Sequence, residues 1–131
     1  MLEFALLATA LLFGGMVLYA FGFAAFVFSA LPPETASPLI RKAFPHFYLF
    51  VLAVSAVAGA AAAFVAPLSA AILAVIAVTT VFARQVLMPA INRATDSGNK
   101  PRFKLLHTGS VLLTLAHIGA AGVVIVALAG G

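Results

Sequence analysis

Four apolar stretches, each long enough to cross a bilayer, take up nearly all of this 131-residue chain, and every lysine and arginine sits in or beside two of the gaps between them. A helix crosses the hydrocarbon with about 20 predominantly apolar residues. The stretches fall at about residues 3–31, 44–66, 68–91 and 101–128. The first stops at the Pro32-Pro33 pair and the second at Pro67. Pro101 suits the first turn of the last helix, where a missing N–H costs nothing.

Composition removes the soluble alternative. The chain is 65% hydrophobic and 8% charged, with a mean hydropathy of +1.23, whereas soluble domains are roughly a quarter charged. A soluble chain of this size could not hide so much apolar surface. The expected fold is all-α: one transmembrane domain over residues 1–131, an integral membrane four-helix bundle running up-down-up-down.

Charge then predicts orientation. Arg41 and Lys42 lie in the segment 32–45; Arg93, Lys100, Arg102 and Lys104 lie in the segment 91–104, with Arg84 just before it. The connection around Pro67 is short and uncharged, so the second and third helices form a tight hairpin. With four crossings, both basic segments share one side and all 7 cations lie there. The positive-inside bias makes loops 32–45 and 91–104 cytoplasmic and puts both termini on the non-cytoplasmic side of a plasma (inner) membrane. A net charge of +4 is too small and too close to the membrane edges for nucleic acid, which needs a basic stripe on a water-facing surface. The expected partners are the lipid bilayer and, at the basic loops, anionic lipid headgroups. The absence of cysteine excludes disulfides, thiolate catalysis and Cys-bound metals. A cleaved signal peptide is not expected, because Met1-Leu2-Glu3 lacks a positive n-region and the first apolar run is too long.

Two helices carry small residues at packing intervals: Ser55, Gly59 and Ala63 in the second, and Gly15 and Gly22, with Gly14 beside them, in the first. Such spacing lets backbones approach closely in lipid. Packing within the bundle is the plainer use; a homo-oligomer seam is the other.

Ionisable groups inside a membrane helix are costly, so each is a functional hypothesis. On the fourth helix His107, Ser110, Thr114, His117 and Ala121 fall within about 80° of one another at helical spacing. This polar stripe is expected to face the bundle interior, since lipid offers no hydrogen-bond partners. By depth, His46, Arg84, His107 and Ser110 would converge near the cytoplasmic edge, with Glu34 or Asp96 as the nearby anions. A second layer near the midplane would hold Tyr19, Ser55, Thr79 or Thr80, and His117. The plainer readings are that serine and threonine bond their own helix carbonyls, that Arg84 snorkels to the headgroups, and that a buried histidine ties two helices together.

An enzyme is not expected. Glu3, Glu34 and Asp96 lie outside the apolar spans, no nucleophile–base–acid triad is evident, and no phosphate loop or zinc spacing appears. One haem cannot take both His107 and His117, which are about 15 Å apart on a single helix. His46 with His107 would be the one bis-histidine pair at the cytoplasmic edge. No metal and no cofactor is assigned.

The run Phe28-Ser29-Ala30-Leu31-Pro32-Pro33-Glu34-Thr35, followed by Lys42-Ala43-Phe44-Pro45, resembles the first loop of the transmembrane protein 205-like family. Met88-Pro89, and Phe103 before Leu106-His107 with Ser110, extend the resemblance over nearly the whole chain. It implies a small four-helix membrane protein, its bacterial members carrying a domain of unknown function, without an established biochemical activity. His107 and Ser110 would inherit any role attached to the histidine–serine motif. Family members often carry asparagine where this chain has Thr114.

The expected function is therefore an integral membrane protein that binds or passes a small solute, proton or ion through a cytoplasm-facing polar pocket. Its ligand-binding residues would be His107, Ser110, Arg84, His46, Thr114 and His117. The alternatives are a structural or accessory subunit packing through glycine and alanine helix faces, and, more weakly, a haem or quinone redox protein.

Overall fold

Three of the four apolar stretches become helices longer than themselves. The computed structural model describes residues 1–130; Gly131, the last residue of the expected domain 1–131, lies outside the described residues. The described chain is all-α, with four helices: α1 (Leu2–Ala30), α2 (Pro33–Ala62), α3 (Pro67–Asp96) and α4 (Lys100–Ala129), all long and apolar enough to span a membrane. A 30-residue helix is about 45 Å long at 1.5 Å per residue, against a hydrocarbon core of about 30 Å. The surplus turns are the polar ones.

The basic segments are consequently helical extensions more than loops. α2 starts at Pro33, not near residue 44, and α3 runs on to Asp96, beyond residue 91. Pro33 opens α2 at a position where the absent N–H is no loss. Pro38 and Pro45 sit inside α2 and deprive the carbonyls of Glu34 and Arg41 of their helical donors. Glu34 and Arg41 are exposed residues in the polar extension of α2, where water can serve a freed carbonyl as the hydrocarbon cannot. A proline pattern that reads as a loop is thereby accommodated in one continuous helix.

The remaining connections are tight. α3 ends in a Schellman motif: Asn99 N–H donates to the Ala94 carbonyl and Gly98 N–H to that of Thr95. Gly98 has φ +69°, a left-handed conformation that glycine adopts without steric cost. Asn99 then caps α4, its side chain accepting from Arg102 N–H at 3.2 Å. At the other hairpin, residues 63–66 link α2 to α3, and Pro67 opens α3.

The four helices form a ring in which α2 packs against α1 and α3, and α4 closes the ring against α1 and α3. Leu12 and Met16 of α1, Phe47 and Val51 of α2, Leu73 and Ile76 of α3, and Val124 of α4 are fully buried. Outward faces are as apolar as the core, with Leu18, Leu68, Val78 and Val126 exposed. Lipid tails and core side chains are equally apolar, so close packing, not water exclusion, holds such helices together. A Cβ on Gly15 would stand 2.5 Å from the Phe50 ring, and one on Gly59 would stand 3.4 Å from Leu73 Cβ. Both glycines are thus used inside the bundle, between α1 and α2 and between α2 and α3.

Two helices widen locally. α1 contains a π-helical turn at Leu18–Phe23 and α3 one at Ala83–Leu87. The second ends just before Met88-Pro89. In a regular helix the Pro89 ring would meet the carbonyl of Gln85; the wider turn relieves that clash.

Candidate functional site

Polar side chains inside the bundle gather at two levels. At the first, both π-helical turns aim a donor at the Pro45 region of α2. Tyr19 donates its hydroxyl to the Ala43 carbonyl at 2.8 Å, and Arg84 donates Nε–H to the Pro45 carbonyl at 3.2 Å. Arg84 also donates from its guanidinium to Gln85 Oε1 at 3.1 Å. Around them Tyr19, Phe44, Phe47 and Tyr48 interlock, with ring centroids 5.2–6.3 Å apart, the range of favourable tilted and edge-on aromatic packing. This level joins α1, α2 and α3.

The second level lies between α3 and α4. His117 is 7% exposed, and its Nε2 is 2.7 Å from Thr79 Oγ1. Thr79 Oγ1 also lies 2.7 Å from the Val75 carbonyl. A hydroxyl has one proton; given to Val75, it leaves the Thr79 oxygen to accept from His117 Nε2–H. The pair forms the floor of a groove of about 360 Å³ lined otherwise by Ala71, Ile72, Val75, Ile76, Leu113, Ala116 and Ala120. Ala71, Val75 and Ala116 are exposed at its rim, so it opens sideways from the bundle. Thr79 and His117 each lie about 18 Å from the Pro67 end of α3 and the Ala129 end of α4 respectively, which is the middle of a span.

Three other buried hydroxyls are occupied locally. Thr9, Ser55 and Thr80 bond the carbonyls of Ala5, Leu52 and Ile76. Of the Thr79–Thr80 pair, Thr79 alone turns toward α4. Tyr19, expected at the midplane, reaches the Pro45 level instead.

The sequence-predicted site residues separate. Arg84 meets α2 through Pro45. His46 is exposed. His107 is exposed as well, stacked on Phe103 with centroids 5.4 Å apart and planes 10° from parallel. Ser110 donates to the His107 carbonyl at 2.7 Å, the local bond ordinary for a helical serine. Thr114, 8% exposed, and His117 face inward. Among the described hydrogen bonds none joins His46, Arg84 and His107. No group of three His, Cys, Asp or Glu side chains suited to a metal occurs among the described residues.

Sequence reasoning did not single out Val75, Ala71, Ala116 and Ala120, which shape the groove; small and β-branched residues on two facing helices carry no signal of their own. Nor did it foresee that Arg41 and Asp96 would form a bidentate pair at 2.7 and 2.9 Å, linking the polar ends of α2 and α3. The hydrogen-bonded Arg41 guanidinium holds the Asp96 carboxyl below the usual carboxylate range.

Four bundled helices with apolar outer faces, polar extensions and one interhelical polar pair at mid-span define a multi-pass integral membrane protein. Residues 7–100 match the family described as Domain of unknown function (DUF4149), and the chain belongs to that family. No curated protein and no solved structure matches the chain.

Proposed function

We propose that this membrane protein binds a small molecule from within the bilayer, in the groove between α3 and α4. The observation that carries the reading is the His117–Thr79 hydrogen bond of 2.7 Å on the floor of an otherwise apolar, sideways-open groove. Ligand sites are mostly apolar clefts with a few placed polar groups, and this groove lies near the lower end of their usual size. The reading moves the site from the cytoplasm-facing edge, where His46 and His107 are exposed, to mid-span. It retains His117 from the polar stripe, leaves Thr114 outside the groove lining, and gives Arg84 an architectural task.

The membrane arrangement belongs to the same proposal. The helices cross up-down-up-down with both termini outside, and the basic segments 32–45 and 91–104 lie at the cytoplasmic face of the plasma (inner) membrane against anionic headgroups. Its support is the grouping of all 7 cations in and beside these segments. Because the chain has no cysteine, Ser97→Cys is a clean probe: a membrane-impermeant maleimide should label it in inverted vesicles and not in intact cells. Membership of the wider transmembrane protein 205-like group is a further part of the proposal, supported by the Leu31-Pro32-Pro33 and His107–Ser110 motifs.

The binding reading is tested with a photoactivatable diazirine fatty alcohol in proteoliposomes, mapped by mass spectrometry. Adducts should concentrate on α3 and α4 around Val75, Thr79 and Ala116. Val75→Trp, which fills the groove from its rim, should remove them. Even labelling of all lipid-facing helices would refute the site. An accessory role through glycine faces is less well supported, since Gly15 and Gly59 already pack against Phe50 and Leu73.

A further inference from the structure

The hydrogen-bond pattern at His117 goes beyond the existence of a site and constrains what enters it. With the Thr79 proton on the Val75 carbonyl at 2.7 Å, Thr79 becomes the acceptor and His117 Nε2–H the donor of the bond between them. A neutral imidazole carries one N–H, so the other nitrogen, Nδ1, presents a bare lone pair. No described hydrogen bond engages Nδ1. Yet no buried side-chain nitrogen or oxygen among the described residues lacks a partner, so Nδ1 retains accessible surface. The surface that His117 lines is the groove. The ring is only 7% exposed, and an Nδ1 facing the groove would offer it one acceptor.

Two further facts narrow the ligand. Glu3, Glu34 and Asp96 are the acidic residues of the chain, and none lines the groove. Arg84, the cation nearest in sequence to Thr79, is turned to the Pro45 carbonyl. A charged ligand group would therefore meet no countercharge in a medium that penalises ions heavily. The rim residues Ala71, Val75 and Ala116 open the groove at mid-span depth, where the surrounding solvent is hydrocarbon.

We infer that the groove takes a neutral, lipid-soluble molecule bearing a hydroxyl group, which it donates to His117 Nδ1. Alcohols, phenols and reduced quinols share this chemistry; ethers, quinones and carboxylates do not. The inference rests on the reading of the groove as a binding site and adds the polarity of the contact.

The experiment compares 4-hexylphenol, its methyl ether 4-hexylanisole and 4-hexylbenzoate on the full-length protein in lipid nanodiscs. Binding is read by thermal shift and by ¹⁵N resonances of the labelled histidines. The phenol should bind about tenfold more tightly than the anisole, the factor one ordinary hydrogen bond supplies, and benzoate should not bind. A non-protonated Nδ1 resonance of His117 should move with the phenol alone. His117→Leu should erase the preference for phenol, and Thr79→Val, which leaves the ring in place, should weaken it. Equal binding of phenol and anisole, or a proton on Nδ1 in the free protein, would overturn the inference. If Val75→Trp still blocks both ligands in that case, the site itself survives. If no ligand responds to Val75→Trp, the site and the inference fall together.

Discussion

At the Pro45 level, Tyr19 and Arg84 each end on a carbonyl of α2, and four aromatic rings fill the space between them. Between α3 and α4, the groove is crossed by one hydrogen bond, and no described hydrogen bond engages the other nitrogen of the histidine that makes it. The polar groups at both levels are costly to place in lipid, but they are spent differently. At the first, donors are consumed by backbone acceptors and the helices are locked. At the second, the bond fixes the orientation of a ring and leaves its other edge available. A buried polar residue in a membrane bundle is thus better judged by the atoms it leaves unengaged than by its burial.

The contrast can be tested in order of effect. Phe47→Ala, which empties the centre of the aromatic cluster, should cost about 3–5 kcal/mol and lower the unfolding temperature in nanodiscs more than any groove variant. A loss no greater than that of His117→Leu would erase the distinction between the two levels. Gly59→Leu should cost about 1–3 kcal/mol by overpacking against Leu73. Gly119→Leu, on a face with nothing near its Cβ, should stay within about 0.5 kcal/mol. A homo-oligomer seam along α4 would instead appear as a change in particle mass for Gly119→Leu. Tyr19→Phe and Thr79→Val should each cost about 0.6 kcal/mol, the average for interhelical hydrogen bonds in lipid. Thr79→Val should lose nothing more when His117 is already leucine, and full additivity would show that the two do not act as a pair.

The smallest effect belongs to the Arg41–Asp96 pair, whose side chains are 43% and 59% exposed. Because Arg41 lowers the Asp96 pKa in the fold, the pair contributes fully above the ordinary carboxylate value near 4. That contribution is lost as pH falls through the lower folded value. Wild type should show a slight extra fall in unfolding temperature between about pH 5 and about pH 2 that Asp96→Asn lacks. Identical pH profiles would mean that the pair is decorative.

The number of helices was legible because hydropathy over 20 residues integrates a large signal, and Pro32-Pro33, Pro67 and Pro101 mark boundaries by simple stereochemistry. The helical course through Pro38 and Pro45 was not, because a proline reports the bond it removes and not the solvent that replaces it. Neither π-helical turn has a local signature, although Pro89 gives a reason for one of them. His117 was legible from its spacing with Thr114 on one face. His107 shares that spacing, but it is exposed and stacks on Phe103. Choosing Thr79 over Thr80 needed the rotation of α3 about its own axis, which adjacent threonines in an apolar run leave open.

The link between α3 and α4 has a mechanical side. The two long rods are joined at residues 97–99, and the groove lies far along them. From that joint to Thr79 is about 26 Å of helix. A change of about 5° in the angle between the rods would part them by about 2 Å at the groove, the width of a hydrogen bond's heavy-to-light separation. The joint between the rods thus sits among polar residues 97–99 and the Thr79–His117 bond far from it along both helices, so an angular change at the joint would be read at the groove as a larger displacement.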